Sequence, residues 1–268
     1  MLDVILLAII QGITEFLPVS SSAHLIIFRD LFGLASSIGP DIALTFDIAL
    51  HFGTLLAILV FFFKDFLKIF IDGVTKGPKN KEGKIMYLII VATIPAAILG
   101  FLLEDLIDDF FRKEFILVAL ALIIMGLIIN IVDKRSKEDK NIKSLNYKGA
   151  LLIGLSQSLA LIPGFSRSGT TISAARALEL KKEEAARFSF YLATPIILGA
   201  TVLTLIKTDL SLLLDNAKIL FLGVTISFVV GLICIKFLLN FLKKYDFKIF
   251  MYYRIILGII VILYTIFR

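Results

Sequence analysis

Two short polar segments contain the side chains of this sequence best suited to acid–base and phosphate chemistry. Residues 11–24 read QGITEFLPVSSSAH, and residues 163–171 read PGFSRSGTT. Glu15 and His24 can move protons, and Ser21, which lies between them, can act as a nucleophile when a base reaches it. Arg167 is a permanent cation whose planar fork matches a phosphate group. These residue types predict a site in which the first segment transfers protons and the second supplies positive charge.

Further hydroxyl groups accompany these four side chains, and we expect them to bind phosphate oxygens or to cap helices. They are Ser20, Ser22, Ser166, Ser168 and Thr171. Pro18 and Pro163 should each end a helix, so that the helix that follows begins at the serines. Helix N-termini present free N–H groups and favour anions. The two segments together therefore predict an anion site.

Each candidate also has a structural alternative. Glu15 can serve as a buried carboxylate paired with Arg167, and His24 as a hydrogen-bonding core residue. Arg167 can extend towards the membrane surface, and Ser21 can cap a helix while water acts as the nucleophile. Gln11 lies one helical turn before Glu15 on the same face, so these two residues can also hold a divalent cation or support the site from behind it.

The composition predicts a polytopic membrane protein. Of the 268 residues, 59% are hydrophobic, and the mean hydropathy is +0.96. The net charge of +6 comes from basic residues in short connections, a pattern that sets membrane topology and does not indicate nucleic-acid binding. A single cysteine, Cys234, excludes an internal disulfide and a thiolate cluster.

Six segments are long and apolar enough to cross a bilayer, which takes about 20 residues. They are residues 45–63, 84–103, 115–132, 185–206, 217–242 and 249–267. Two further regions are interrupted by proline, residues 2–32 around Pro18 and residues 147–180 around Pro163. Neither half of such a region spans comfortably, so we predict two re-entrant helix–break–helix hairpins whose broken backbone is buried in protein.

Charge in the connections predicts the orientation of the chain. Residues 64–84 and 133–148 are rich in lysine and should be cytoplasmic. Between them comes an acidic stretch that suits the outside, with Glu104, Asp105, Asp108 and Asp109. Both termini are then external, in a multi-pass protein of a prokaryotic plasma membrane.

The two halves of the chain share one layout, a broken hairpin followed by three spans. Because three crossings is an odd number, the second half must start on the opposite face, which predicts an inverted repeat. Repeat 1 covers residues 1–133 and repeat 2 residues 147–268, joined by a basic loop within one membrane domain, 1–268. The two breaks should meet near the middle of the membrane.

Four other polar residues within the predicted spans are given roles outside the chemistry of the site. Asp47 and His51 are one helical turn apart and should hydrogen-bond each other, in a structural role or one that supports the site from behind it. Lys236 and Arg254 lie towards helix ends, and we expect both to extend their charged groups to the membrane surface.

The segments QGITEFLPVSSSAH and PGFSRSGTT resemble the two signature segments of the undecaprenyl-diphosphatase family, also called bacitracin-resistance proteins. The motifs occur in the family's order, and length and hydropathy match along essentially the whole chain. The resemblance implies hydrolysis of undecaprenyl diphosphate to the monophosphate and phosphate, which recycles the lipid carrier of cell-envelope polysaccharide synthesis. It also implies a Mg²⁺ or Ca²⁺ ion, with no organic cofactor, and Gln11 is the non-acidic option at its motif position.

A carrier or flippase for a polyprenyl phosphate or another anion is the alternative function, because broken helices in inverted repeats are typical of transporters. In either case the expected partners are a polyprenyl lipid and the membrane, with no nucleic acid. A homodimer is compatible with the sequence.

Overall fold

The computed structural model describes residues 1–34, 38–111 and 114–267, and for positions 40 and 104–111 the backbone alone. The acidic side chains of Glu104, Asp105, Asp108 and Asp109, predicted to face the outside, lie beyond this description. The described residues form twelve α-helices, in agreement with the predicted all-α fold. In chain order these are α1 Leu2–Thr14, α2 Ser21–Ile26, α3 Pro40–Phe61, α4 Phe63–Lys76, α5 Gly83–Phe111, α6 Phe115–Arg135, α7 Tyr147–Ser158, α8 Arg167–Ala177, α9 Lys182–Lys207, α10 Leu210–Asp215, α11 Ala217–Leu242 and α12 Lys248–Phe267.

Six of these helices are long and apolar enough to cross a membrane, which confirms the six predicted spans among the described residues. They are α3, α5, α6, α9, α11 and α12. The prediction missed α4, which occupies much of the segment 64–84 that we had assigned to a basic connection. Phe62, Phe66 and Ile69 recur at helical spacing and pack into the core, whereas the lysines of this segment drew attention to its charge.

The helices of the two halves pack on each other reciprocally. Helix α1 packs against α11, and α7 packs against α5. Both crossings are close: a Cβ atom at Gly12 would lie 2.7 Å from Val230 Cβ, and one at Gly154 would lie 2.3 Å from the Ala92 carbonyl oxygen. The helix–break–helix form of both hairpins is present in α1–α2 and α7–α8. Their re-entrant course in a membrane and the inverted repeat remain predictions.

A buried ion pair fixes the end of the second hairpin to α6. Arg176 Nε donates to Asp133 Oδ1 at 2.7 Å, and both side chains are almost fully buried. The same guanidinium donates to the carbonyl of Leu180, and Ser136 Oγ donates to the carbonyl of Arg176. These bonds hold α8 in place relative to the helices that surround it.

We expect Asp133→Ala to lower the free energy of unfolding by about 3–5 kcal/mol, because it leaves the buried Arg176 charge with only the half-exposed Glu138 carboxylate, 3.6 Å away. Thermal unfolding of the purified protein in detergent measures this loss. Lys68→Ala is the matched control, since the Lys68–Glu82 pair is solvent-exposed on the lysine side and should contribute about 0–1 kcal/mol. Equal effects of the two substitutions would contradict the assignment.

Candidate active site at the two helix breaks

Each helix break turns on a serine in the left-handed backbone region. Ser20 has φ 76° and Ser166 has φ 73°, values that non-glycine residues seldom adopt. Their side chains cap the helices that follow, since Ser20 Oγ accepts from the Ala23 N–H at 3.4 Å and Ser166 Oγ from the Gly169 N–H at 3.1 Å. Such strain persists where the surrounding fold imposes it, and it clusters at functional sites. Both serines are buried, with hydroxyls turned towards their own helices.

The carboxylate of Glu15 lies at the centre of the site, where the two breaks meet. Ser21 Oγ donates to Glu15 Oε2 at 2.8 Å, and Gln11 Nε2 donates to the same oxygen at 3.0 Å. The other oxygen, Oε1, accepts from Arg167 Nη2 at 2.6 Å. Glu15 is buried, whereas Ser21 is partly exposed. The fold thus joins a proton acceptor and a candidate nucleophile of the first break to a cation that is 152 residues away in the chain.

Arg167 points into this site and not towards the membrane surface. Its side chain is 14% exposed, and Nη1 donates to the carbonyl of Ser189 at 2.9 Å. Thr171 Oγ1 donates to the Ser189 hydroxyl at 2.7 Å and to the Arg167 carbonyl at 2.8 Å. Ser189, on α9, was missed by the sequence analysis, because a single serine within a predicted span carries no signal of its own.

The remaining predicted hydroxyls divide by accessibility. Ser168 is buried; its hydroxyl lies 3.1 Å from Ser166 Oγ and donates to the Leu17 carbonyl at 3.1 Å, which links the second break to the first. Ser22 is partly exposed, with its hydroxyl 3.3 Å from that of Ser20. Ser21 and Ser22 are therefore the serines of the first break that remain accessible, whereas Ser168 holds the two breaks together.

His24 has both ring nitrogens in hydrogen bonds. Nδ1 lies 2.6 Å from the Ser20 carbonyl oxygen, which cannot donate, so this nitrogen carries the proton. Nε2 lies 2.7 Å from the Tyr253 hydroxyl and accepts a hydrogen bond from it. The two rings are stacked, with centroids 5.6 Å apart. The Ser20 carbonyl therefore fixes the tautomer of His24, and Tyr253 fixes the orientation of its ring, a role that no sequence motif indicated.

We expect Tyr253→Phe to lower kcat for the diphosphate hydrolysis that the sequence resemblance implies by about tenfold at unchanged KM, because one hydrogen bond that orients His24 is lost. Steady-state phosphate release from the purified enzyme measures both constants. Tyr252→Phe removes the neighbouring hydroxyl on the same helix and should leave both constants unchanged. A kcat for Tyr253→Phe equal to that of the control would remove Tyr253 from the site.

Comparison with known proteins establishes the family. The model of the family described as bacitracin resistance protein BacA matches residues 4–260. This chain belongs to the BacA family. The resemblance of its two polar segments is thereby confirmed, and the match covers nearly all of the chain.

Three relatives of this BacA-family chain are all named undecaprenyl-diphosphatase. An undecaprenyl-diphosphatase of Caldicellulosiruptor bescii is 47% identical over 266 residues, which are 98% of this chain and 97% of that protein. Those of Elusimicrobium minutum and Desulforudis audaxviator are 45% and 42% identical, and each match covers at least 96% of both chains.

One prediction for this BacA-family chain is wrong, since Arg254 does not extend to the membrane surface. It is fully buried, and its guanidinium donates to the carbonyls of Pro18 at 2.9 Å, Leu122 at 2.9 Å and Gly164. Pro18 and Gly164 belong to the two breaks, so this cation ties the hairpins together beside the site. The position of Arg254 near a helix end suggested that its guanidinium could reach the membrane surface. The tertiary fold instead brings backbone carbonyl acceptors to the guanidinium. Lys236, by contrast, is exposed, and the extension of its charged group to the membrane surface remains a prediction.

His51, which the sequence analysis gave a structural or supporting role, lies beside the Glu15 carboxylate in this BacA-family chain. Its Nε2 lies 3.4 Å from Glu15 Oε2, and its Nδ1 lies 2.8 Å from the backbone carbonyl of Asp47. The predicted bond between Asp47 and His51 therefore uses the Asp47 backbone, while the Asp47 carboxylate binds Arg29. His51 adds a fourth neighbour to the Glu15 carboxylate.

The oxygen donors around Glu15 fit a divalent cation that is shared with a bound phosphate. Gln11 Oε1 is buried and has no hydrogen-bond partner, so it can act as a ligand. Among the described residues, no group of three or more histidine, cysteine, aspartate or glutamate side chains could hold a metal ion. Mg²⁺ often binds one or two carboxylates together with substrate phosphates, which is the arrangement that these residues allow.

Proposed function

We propose that this chain hydrolyses undecaprenyl diphosphate to undecaprenyl monophosphate and phosphate within the bacterial plasma membrane. The reaction recycles the lipid carrier of cell-envelope polysaccharide synthesis and gives resistance to bacitracin. One observation carries the mechanism: Ser21 Oγ, Glu15 and Arg167 form one continuous hydrogen-bonded chain across the two hairpins. The names of the relatives support the substrate. Both termini are proposed to lie outside the cell, in accord with the basic connections.

Arg167 clamps the diphosphate. Its guanidinium matches phosphate oxygens bidentately, and the N-terminus of α8, where it is the first residue, adds N–H groups and a positive dipole end. Thr171, Ser168 and Ser166 shape this end of the site, and Ser20 and Ser22 shape the opposite end. When the Arg167 guanidinium binds the phosphate, Glu15 loses the positive charge of its ion-pair partner. Glu15 therefore becomes a stronger base at the step in which Ser21 loses its proton.

Ser21 attacks the terminal phosphorus. A bond forms between Ser21 Oγ and phosphorus, the bond from phosphorus to the bridging oxygen breaks, and its electron pair leaves with the polyprenyl monophosphate. Glu15 Oε2 accepts the hydroxyl proton and passes it to the departing phosphate. The phosphoryl group is thus transferred in two displacements. Ser21 Oγ is the nucleophile in the first and the leaving group in the second.

Water completes the reaction. Glu15 takes a proton from the attacking water, the bond between phosphorus and Ser21 Oγ breaks, and the proton returns to Ser21. One water is consumed and one phosphate is released. His24 Nε2 accepts a hydrogen bond from the Tyr253 hydroxyl, so it assists these transfers through that hydroxyl, while the proton on Nδ1 is held by the Ser20 carbonyl.

A divalent cation, Mg²⁺ or Ca²⁺, is proposed to bind with the substrate. Gln11 Oε1 and Glu15 would hold it together with phosphate oxygens. When bound, it supplies positive charge that stabilises the developing charge of phosphoryl transfer.

Phosphate release from undecaprenyl diphosphate by the purified protein tests the function, with and without a chelator. We expect release by the wild type and a loss with chelator that added Mg²⁺ or Ca²⁺ restores. Movement of the lipid between the leaflets of liposomes without release of phosphate would favour the carrier instead. Release that is insensitive to the chelator would remove the cation from the proposal while leaving the serine mechanism intact.

A further inference from the structure

An apolar cavity of about 280 Å³ lies beside the site, between the first helix break and helices α11 and α12. Its walls include Leu17, Val19, Phe237, Phe241, Phe250 and Tyr253, and we call it the α11–α12 groove. Leu17 and Val19 flank Pro18, and Tyr253 is the residue whose hydroxyl binds His24. The groove therefore begins where the polar site ends.

The wall of the α11–α12 groove has no side-chain polar group that needs a water molecule as a hydrogen-bond partner. Its two polar side chains have their hydroxyls satisfied within the protein, since Thr14 Oγ1 donates to the Ile10 carbonyl at 2.7 Å and Tyr253 donates to His24. The other side chains of the wall are aliphatic or aromatic. Such a surface stabilises a hydrocarbon and offers nothing to a headgroup.

The groove is firm at its floor and open at its rim. Val19 and Phe250 are buried, and Phe241 packs edge-on against Phe250 with ring centroids 5.6 Å apart. Phe237 and Ile249, by contrast, are 53% and 56% exposed on the outer side of their membrane-spanning helices. A long chain can therefore enter sideways and leave most of its length in the lipid.

We propose that the α11–α12 groove binds the isoprene units of the polyprenyl chain that lie next to the diphosphate. This inference rests on the proposed function. Three observations support the prenyl chain as the occupant: contact with the residues around the break, a wall without free polar groups, and a lateral opening to lipid. The groove thus selects a prenyl diphosphate over a small soluble one, since the hydrocarbon contacts are made beside the reacting phosphate.

A second cavity, of about 330 Å³ between α4, α5 and α9, serves as the competing location. Phe66, Met86 and Leu198 line it, and none of the residues that contact Glu15 does. It offers a comparable apolar wall without continuity to the diphosphate site.

Ile249→Trp fills the rim of the α11–α12 groove, and Ile259→Trp places the same ring on an exposed part of the same helix outside it. We expect Ile249→Trp to lower kcat/KM for undecaprenyl and farnesyl diphosphates by about tenfold, the scale of a lost apolar contact in a pocket, and by less than about twofold for methyl diphosphate, which carries no isoprene unit. Ile259→Trp should match the wild type on all three. Equal losses on all three substrates, or no loss on the long ones, would overturn the proposal.

Photo-crosslinking provides a readout that does not depend on turnover. A non-hydrolysable prenyl bisphosphonate with a photoreactive group on its first isoprene unit should label peptides containing Phe237, Phe241 or Phe250. Labelling of Met86 or Leu198 peptides would place the chain in the competing cavity and overturn the proposal, as would displacement of the probe by phospholipid alone. A wild type that is labelled in the α11–α12 groove but releases no phosphate would refute the proposed hydrolysis and leave the groove in place.

Discussion

Arg167→Ala is expected to lower phosphate release from undecaprenyl diphosphate by about 10³-fold, the upper end of what loss of one charge-stabilising donor costs. The clamp on the phosphate disappears, and with it the positive charge that stabilises the phosphoryl group during transfer. Arg167→Lys retains the charge but loses the bidentate fork, so it should recover only part of the activity.

Loss of Arg167 also removes the guanidinium that pairs with the buried Glu15 carboxylate, so stability must be measured together with turnover. Arg187→Ala on α9 is the matched control, because Arg187 is 39% exposed and pairs with Asp65 outside the site. We expect that variant to hydrolyse the substrate like the wild type. A folded Arg167→Ala protein that releases phosphate at the wild-type rate would sink the clamp.

Ser21→Ala is expected to abolish measurable turnover, with a loss of at least about 10³-fold, because the group that forms the covalent bond is gone while Glu15 and Arg167 stay in place. Substrate binding should change little, since the clamp is intact. Single-turnover phosphate release and an independent binding measurement separate these two quantities. Ser211→Ala, an exposed serine on α10, controls for removal of a hydroxyl. Turnover by Ser21→Ala within tenfold of the wild type would make water the direct nucleophile.

Much of the fold could be predicted because it rests on one-dimensional signals. A membrane span needs about 20 consecutive apolar residues, and such runs are visible in any sequence. The breaks were visible for a similar reason, because Pro18 and Pro163 interrupt helical runs just before clusters of serine. Helix α4 was missed because it is only 14 residues long and its apolar positions lie among lysines.

The contacts of the site were only partly predictable. Gln11 and Glu15 are one turn apart on α1, so their hydrogen bond follows from helical spacing. The Glu15–Arg167 pair needed the further idea that two breaks meet, and the sequence analysis reached it only as one alternative for Glu15. His51, Ser189 and Tyr253 lie within long apolar helices, where nothing in the sequence says which site a polar group faces.

Arg254 shows the same limit most clearly. A cation near a helix end is compatible with exposure or with burial, and sequence position does not decide between them. Burial of the Arg254 guanidinium is tolerated because three backbone carbonyls, from α6 and the two breaks, accept hydrogen bonds from it. Those carbonyls come from parts of the chain distant in sequence, so only the three-dimensional packing reveals them.

The stereochemistry of phosphoryl transfer tests the central claim, that Ser21 carries the phosphoryl group between the lipid and water. A polyprenyl diphosphate made chiral at its terminal phosphorus, with sulfur and oxygen isotopes, would be hydrolysed in isotopically defined water. Each in-line displacement inverts the phosphorus, so attack by Ser21 followed by attack by water predicts overall retention. Overall inversion would mean a single displacement by water and would contradict the account.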